Sequence, residues 1–394
     1  MHNLTKIKIF RVLLWITYPV SWLIMYPASL LKKKNPGHLF FFFDRYCIGG
    51  AQRVHLDILN SIRNQPKQLY FTRHSPDAVF KKDFYEIPAT DSRDIHVWCD
   101  NLLFRLFTVH YYAFYINRHS AAHIFSSNST FFYDLLPFLK KRVVCTELLH
   151  NFTYGKKGFE FFGLANYARL QNRVVVDAAT RANIKQQYAV YGIDATFADR
   201  ILLIEPGVNI PPDPFNKNYE TPLQVLYAGR GGAQKRVWLV SRIADYFIGE
   251  KLPVQFHFAG PVQAELSRLT RRHSVIHGEV KGNGMAALYA QCQALILTSA
   301  YEGFPMVIKE AMAYGCVPVV TALEGNKTHL KNGRNALLIE AITDEAAVVQ
   351  QGIEQIRTLT DTARLQELSA AARAYAQKHF SKDAFMQAYR QLLT

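Results

Sequence analysis

Two carboxylates eight positions apart, Glu302 and Glu310, bracket the short segment Gly303-Phe304-Pro305-Met306-Val307. The apolar run 294–299 before them reads as a buried strand and 309–314 as a helix, so the pair straddles a strand-to-helix turn. A helix starting there presents unpaired N–H groups and a partial positive charge, which suit a phosphate or a developing anion. Glu302 is expected in the loop and Glu310 in the helix, one beside each end of an elongated polyhydroxylated ligand. Acceptors so far apart fit hydroxyl groups better than a metal. In isolation such a pair is more often a capping acid plus an exposed helical Glu, so the neighbouring residues decide. Arg230 and Lys235 follow a strand ending in Tyr227-Ala228-Gly229, and a planar fork beside a point charge suits a diphosphate. Backbone N–H groups of Gly303, Phe304, Met306 and Val307 lie between the two acids, whereas Pro305 has none to give. Gly49-Gly50 would let backbone approach a diphosphate or an acceptor closely, although Gly pairs mark ordinary turns as often. The sequence contains no Asp-x-Asp and no His/Cys/Asp cluster at metal spacing. Neither a metal nor another cofactor is therefore expected, and the basic pair and the helix terminus are left to neutralise charge.

These groups need a scaffold, and 394 residues suit two domains of ordinary size. A content of 49% hydrophobic and 20% charged residues describes a folded chain rather than a disordered one. Strands are expected at 38–43, 68–71, 122–125, 143–146, 173–176 and 201–204, with helical runs between them. A proline-rich break follows, with Pro206, Pro211-Pro212-Asp213-Pro214 and Pro222. A second set of strands is expected near 225–228, 255–259, 275–277, 294–297, 317–320 and 336–339. The alternation predicts an α/β chain of two Rossmann-like, doubly wound domains whose strand C-termini face a central cleft. The expected boundaries are 1–36 for an N-terminal apolar and basic extension, 37–205 for the first domain, 206–222 for a linker, 223–375 for the second domain and 376–394 for a C-terminal helix. Five scattered cysteines without C-x-x-C spacing argue for reduced thiols in a cytoplasmic setting. His119, His123 and Glu147 read as structural.

The motifs, in this order along the chain, resemble those of retaining GT-B glycosyltransferases of family 4. Glu302 and Glu310 match the E-x7-E signature, and Tyr227-Ala228-Gly229-Arg230 with Lys235 matches a strand ending in Gly-Arg with a Lys several residues later. Pro206-Gly207-Val208-Asn209 looks like the hinge segment, and Gly49-Gly50-Ala51-Gln52 like the first-domain Gly-Gly-Ala-Glu loop. The likeness runs over roughly 38–390, strongest in the second half. It implies that Glu310 accepts from ribose hydroxyls, that Glu302 meets the donor sugar and that main-chain atoms near Val280 meet the base. It also implies that the first domain takes the acceptor, that the second takes the donor and that the last helix crosses back to the first domain. It further implies a His at the end of a first-domain strand facing the cleft, which is His150 here. Front-face retention, in which the leaving phosphate oxygen takes the acceptor proton, is the mechanism implied. Arg236 departs from the pattern, standing where the family usually has Gly, and is expected to add positive charge and alter the loop.

The net charge of +15 calls for an anionic partner. Residues 1–43 hold Lys6, Lys8, Arg11 and Lys32-Lys33-Lys34 with no acid, around an uncharged stretch from 12 to 31 that contains Trp15, Tyr18, Trp22 and Tyr26. Its length permits a span, while Pro19 and Pro27 interrupt it and its aromatic residues suit an interfacial segment, so both arrangements stay open. The expected partners are a nucleotide-sugar, UDP-linked before GDP-linked, a lipid-linked or polysaccharide acceptor, and an anionic membrane surface at its cytoplasmic face. The competing readings are a catalytically inactive GT-B-like membrane scaffold and a basic nucleic-acid-binding protein. A scaffold needs none of Arg230, Lys235, Glu302 and Glu310, and no basic stripe with interleaved aromatic residues lies on a recognisable nucleic-acid module.

Overall fold

The structure, a computed structural model, describes residues 3–34, 37–47, 49–153, 158–213, 216–280 and 282–394. Met1, His2, Asn35 and Pro36 of the expected extension, and Pro214 and Phe215 of the expected linker, lie outside the described residues. The chain divides into two compact units, one comprising the residues up to Glu205 with Met386–Thr394, the other Pro206–Phe385.

The first unit is built on a seven-stranded parallel sheet in the order β3-β2-β1-β4-β5-β6-β7. Its strands are β1 Leu39–Phe43, β2 Lys67–Phe71, β3 Thr90–Asp94, β4 His123–Ser127, β5 Val144–Leu149, β6 Asn172–Val175 and β7 Ile201–Leu203. All five residues of β1 are buried, as a central parallel strand covered on both faces requires. Thr90–Asp94 was not expected from the sequence. It is an edge strand of polar residues only, paired in register with β2 from Lys67↔Thr90 to Phe71↔Asp94, and it has no apolar run to announce it. Glu147 on β5 and Arg173 on β6 form a fully buried ion pair, with Nε to Oε2 at 2.5 Å. His123, likewise structural, bonds Thr146 Oγ1 at 2.8 Å.

The N-terminal extension is one helix, Asn3–Leu31, and continues through Pro19 and Pro27, which the sequence reading takes as interruptions. Each interior Pro removes one backbone bond. Packing outweighs that loss, because one face lies along the Leu102–Ile116 helix and buries Ile7, Leu14, Ser21 and Ser29 at near-heptad spacing. The helix is thus part of the first unit rather than a detached appendage.

The second unit has a six-stranded parallel sheet in the order β10-β9-β8-β11-β12-β13. Its strands are β8 Leu223–Ala228, β9 Val254–Ala259, β10 Val275–Gly278, β11 Ala294–Leu297, β12 Val317–Thr321 and β13 Leu337–Ile339. The expected linker is packed onto this unit. Arg373 donates to Pro211 O at 2.9 Å and to Asp213 Oδ1 at 2.6 Å, and Tyr219 OH donates to Ser369 Oγ at 2.9 Å. The expected C-terminal helix over 376–394 is instead two, Thr362–His379 and Lys382–Leu393. The break forms because Val208 N–H takes Phe380 O and Lys382 N–H gives to Val208 O, diverting the backbone bonds that would continue the helix. Farther on, Arg390 Nε donates to Ser61 O at 3.0 Å and Tyr389 meets the Phe125 ring, so the chain ends on the first unit. Two parallel-sheet, Rossmann-like α/β units carrying an N-terminal apolar helix are thus the architecture of the chain.

Candidate functional site

The strand order of the second sheet reverses between β8 and β11, which lie side by side with β9 and β10 to one side and β12 and β13 to the other. In such sheets ligands bind beyond the carboxyl ends of the strands at the reversal. The two loops that leave there, 229–236 after β8 and 298–305 after β11, carry Arg230, Lys235 and Glu302. Backbone and side chain join these loops: Ala300 N–H donates to Gln234 O at 2.8 Å and Gln234 Nε2 to Tyr301 O at 3.1 Å. Lys235 Nζ pairs with Glu302 Oε1, both side chains being largely shielded. Arg230 is exposed, and its carbonyl accepts from Tyr227 OH at 2.6 Å.

Arg236 does not line the loop as an added phosphate charge. It is buried at the mouth of the Val237–Gly249 helix in a left-handed conformation, with φ 48°. Its guanidinium donates to Thr298 O at 2.8 Å, Ser299 O at 3.2 Å and Ile342 O at 2.6 Å. Five rigid donors facing three carbonyls make it a clip that fixes the loop bearing Glu302. Its charge type was legible in the sequence, but its direction was not.

Past Glu302, Pro305 caps the Met306–Ala313 helix in an extended conformation, so the helix opens three residues earlier than its periodicity suggests. Met306 and Val307 supply the first N–H groups of that helix, which have no intrahelical acceptor. Gly303 lies against a second turn of chain: a Cβ on Gly325 would stand 1.8 Å from Gly303 O, so only glycine allows this approach. Phe304 turns its ring into packing, 4.5 Å from His329 and 5.5 Å from Phe380 by centroids. Glu310 sits one turn into the helix, and Tyr289 OH donates to its Oε2 at 2.9 Å. Tyr289 is buried, and burial together with the Glu310 carboxylate drives its phenol well above the usual range. No spacing in the sequence links Tyr289 to Glu310, since the contact exists only because the Asn283–Gln291 helix packs beside it. Val280 is half-buried against the core of the unit, two residues after Gly278, whose φ of +65° suits glycine.

The second unit therefore brings Arg230, Lys235, Val280, Glu302, Gly303, Phe304, Pro305, Met306, Val307 and Glu310 to the carboxyl side of one sheet. Gly49, Gly50 and His150 belong to the first unit. Gly49 precedes the Gly50–Ser61 helix in extended backbone, and a Cβ on Gly50 would meet nothing within 4 Å. His150 follows β5, and its Nε2 lies 3.0 Å from Nε2 of His55, a residue the sequence reading passed over. His55 is fully buried and stacks on Phe43 at 4.1 Å. Burial pushes the His150 imidazole down to about 4 and, with the neighbouring ring, lowers that of His55, so both are neutral at pH 7. One Nε2 then donates and the other accepts. Among the described residues no group of three or more His, Cys, Asp or Glu side chains is placed to hold a metal ion.

Residues 222–357 match the profile of the family described as glycosyl transferases group 1. The sulfoquinovosyl transferase SQD2 of Arabidopsis thaliana is 28% identical over 173 residues, 42% of this chain and 32% of that protein. The D-inositol 3-phosphate glycosyltransferase of Xylanimonas cellulosilytica is 27% identical over 229 residues, 52% of this chain and 53% of that protein. The matches thus span about a third to a half of these relatives' length. Among solved structures, a glycosyltransferase from Rickettsia africae superposes with a TM-score of 0.69 at 15% identity, over 91% of this chain and 98% of the other. Anabaena Alr3699/HepE in complex with UDP-glucose gives 0.65 at 16% identity, over 90% and 99%. The lipopolysaccharide outer core galactosyltransferase WaaB gives 0.64 at 18% identity, over 90% and 98%. At these identities the structural likeness speaks for the fold, and the profile match speaks for the second unit. Residues 222–357 therefore match the group 1 glycosyltransferase profile, and the two Rossmann-like units share the GT-B fold of these neighbours.

Proposed function

We propose that the chain is a retaining family 4 glycosyltransferase that moves a sugar from a nucleotide-sugar to a lipid-linked glycan, lipopolysaccharide or polysaccharide acceptor, without a metal, at the cytoplasmic face of a membrane. The observation that carries this reading is that both acids of the E-x7-E pair are held at the strand-order reversal, Glu302 by Lys235 and Glu310 by Tyr289. A sugar-transfer transition state concentrates negative charge on the departing diphosphate, and preorganised donors there lower its energy. Lys235, Arg230 and the N–H groups of Met306 and Val307 supply them. Glu310 receives the ribose hydroxyls, and Tyr289 OH, which donates to its Oε2, holds the carboxylate in place. Glu302 meets the donor sugar, Val280 lies at the base, Gly49 and Gly50 serve donor binding, and His150 serves the catalysis. The bond from the anomeric carbon to the phosphate oxygen breaks as the acceptor oxygen bonds on the same face, and that phosphate oxygen takes the acceptor proton. UDP is the first choice of nucleotide, supported by the UDP-glucose complex of the Anabaena neighbour, and GDP the second. The name of WaaB supports a lipopolysaccharide-type acceptor. An inactive scaffold would need neither partner for its carboxylates.

Transfer from radiolabelled UDP-sugars and GDP-sugars to a bacterial membrane lipid extract, with and without EDTA, tests this reading. The expected result is product in one nucleotide series that survives EDTA. No product in any series contradicts the activity, and loss with EDTA contradicts metal independence. A finer check separates the two residues around the ribose. Tyr289→Phe removes one hydrogen bond to a carboxylate and is expected to weaken nucleotide binding by about tenfold, about 1.4 kcal/mol, just below the range of about 1.5–3 kcal/mol for charged hydrogen bonds because water partly replaces the lost donor. Glu310→Ala is expected to weaken binding further. Calorimetric titration of nucleotide into both variants decides, and Tyr289→Phe binding equal to the parent would remove Tyr289 from the site.

A further inference from the structure

The stretch Ile7–Leu31 is long and apolar enough to cross a bilayer by length and composition, yet it is not a free segment. Arg11 donates to Asn166 Oδ1 near its start, Tyr18 stacks on Phe138 at 5.6 Å in its middle, and Lys32 just beyond its end donates to Tyr70 OH at 2.8 Å. Lys32 Nζ also lies over the rings of Tyr70, Tyr112 and Tyr115, and Arg118 donates to Ser29 O and Lys32 O. The helix is therefore tied to the first unit along its length. A spanning position would drag those partners, including the Arg105–Asp134 ion pair beside Phe10, into hydrocarbon, where unsolvated charge is costly.

The opposite face of the helix is uncovered. Ile9, Val12, Leu13, Ile16, Val20, Leu23, Ile24 and Leu31 form one stripe at helical spacing, with Ile16 67% and Leu23 68% exposed. The stripe does not end with the helix. Phe10 lies over Arg105, and Tyr18 and Tyr26 lie against Phe114, so the helix runs alongside Leu102–Ile116 in the same direction. Its N-terminal half therefore adjoins a second exposed apolar group, the corner between the His96–Asp100 and Leu102–Ile116 helices. There Val97 is 60%, Trp98 54% and Leu103 69% exposed, with Leu102 and Phe104 beside them. Exposed lysines border the surface: Lys8 at one end, Lys33 and Lys34 at the other, and Lys140 and Lys141 close after Phe138, whose ring meets Trp15 at 4.9 Å. Asp100, in the corner, is occupied by the His74 backbone N–H. Soluble monomers rarely leave so large an apolar face bare.

We propose that the N-terminal helix and the 97–104 corner form one membrane-docking face on which the first unit rests, the helix lying in the plane of an anionic bilayer rather than crossing it. The apolar stripe and corner enter the headgroup and upper acyl region while the bordering lysines meet acidic headgroups. The inference deepens the membrane placement proposed above. Its test reads lipid binding and topology, not sugar transfer, so either can fail alone.

The full-length protein is mixed with sealed vesicles of phosphatidylcholine alone and with phosphatidylglycerol at 3:7. Flotation is expected with the anionic vesicles, weakening as salt is raised. The corner variant Leu103→Glu/Phe104→Glu, checked for parental thermal unfolding, is expected to bind at least tenfold more weakly, and Leu23→Glu on the stripe likewise. Lys8→Cys and Lys33→Cys, labelled on vesicle-bound protein with an impermeant maleimide and corrected for Cys47, are both expected to react from outside. Labelling of only one would mean that the helix spans and would overturn the proposal. Corner-variant binding equal to the parent would remove the corner from the face. No vesicle binding, with a dimer by light scattering, would assign the face to a second copy and overturn the whole.

Discussion

Lys235→Ala is expected to lower kcat/KM for sugar transfer by about 10²–10³, the range observed when a single preorganised donor to a developing anion is removed. Lys235 is anchored by its place after β8, and its Nζ is already drawn to Glu302, so its position does not depend on a donor being present. A diphosphate arriving at the helix of Met306–Ala313 meets that ammonium without reorganisation, which makes the interaction worth more in the transition state than in water. Glu302→Ala removes the other half of the pair. It frees Lys235 for the diphosphate and takes away the proposed contact to the donor sugar, so kcat is expected to fall by at least tenfold with nucleotide affinity unchanged or improved. The double variant is expected to be far from additive, because each residue sets the position of the other. Initial rates and nucleotide titrations on the parent, both single variants and the double variant check this. A Lys235→Ala rate within threefold of the parent would move diphosphate stabilisation to other groups.

A second large effect is expected from acid. His110 and His123 in the first unit and His257 in the second are buried, and burial pushes each imidazole down to about 4; His55 is lowered as well. The unfolded chain protonates these groups near pH 6.5, while the folded chain holds them neutral. Below that pH the unfolded state binds more protons, so stability falls as pH drops from about 6.5 towards 4, by about 1.4 kcal/mol per pH unit for each imidazole. With His150, which burial also pushes down to about 4, the first unit holds at least four such groups, a slope of roughly 5.6 kcal/mol per pH unit. Asp44, Asp134 and Glu160 oppose this at the acid end. Burial raises their carboxyls, so the folded first unit takes up protons there more readily than the unfolded chain. His110 isolates one imidazole, since neither of its ring nitrogens has a hydrogen-bond partner and it packs among Tyr18, Phe114 and Phe138. His110→Phe is expected to remove about 1.4 kcal/mol per pH unit of the slope. Urea unfolding followed by tryptophan fluorescence at pH 7.5, 6.0 and 5.0 reports mainly the first unit, which holds Trp15, Trp22 and Trp98, leaving Trp238 in the second. Midpoints constant across that range would contradict the assignment.

What the sequence conveyed and what it withheld follow from the same physics. Buried parallel strands such as Leu39–Phe43 and Ala294–Leu297 are unbroken apolar runs, so their places were legible. The edge strand Thr90–Asp94 carries no such run, and its pairing is visible only once β2 stands beside it. Pro19 and Pro27 looked like breaks because local rules weigh the lost backbone bonds and not the packing of a 29-residue helix against Leu102–Ile116. At the site, the spacing of Glu302 and Glu310 and the order of Arg230 and Lys235 were readable because a strand-to-helix turn is local. Arg236, Tyr289 and His55 were not, since each acts across elements far apart in the chain. Arg236 spans 62, 63 and 106 residues to its three carbonyls, Tyr289 21 residues to Glu310, and His55 95 residues to His150.

The central claim is that the second unit holds a nucleotide-sugar at the β8–β11 reversal, and isothermal titration of the full-length protein with UDP, GDP, ADP and CMP tests it most directly. One nucleotide is expected to bind the parent, and Glu310→Ala to lose that binding while keeping the parental unfolding transition. A ligand confined to the folded state should also raise that transition in the parent alone. Absence of binding by all four, or equal binding by the Glu310→Ala variant, would contradict the account.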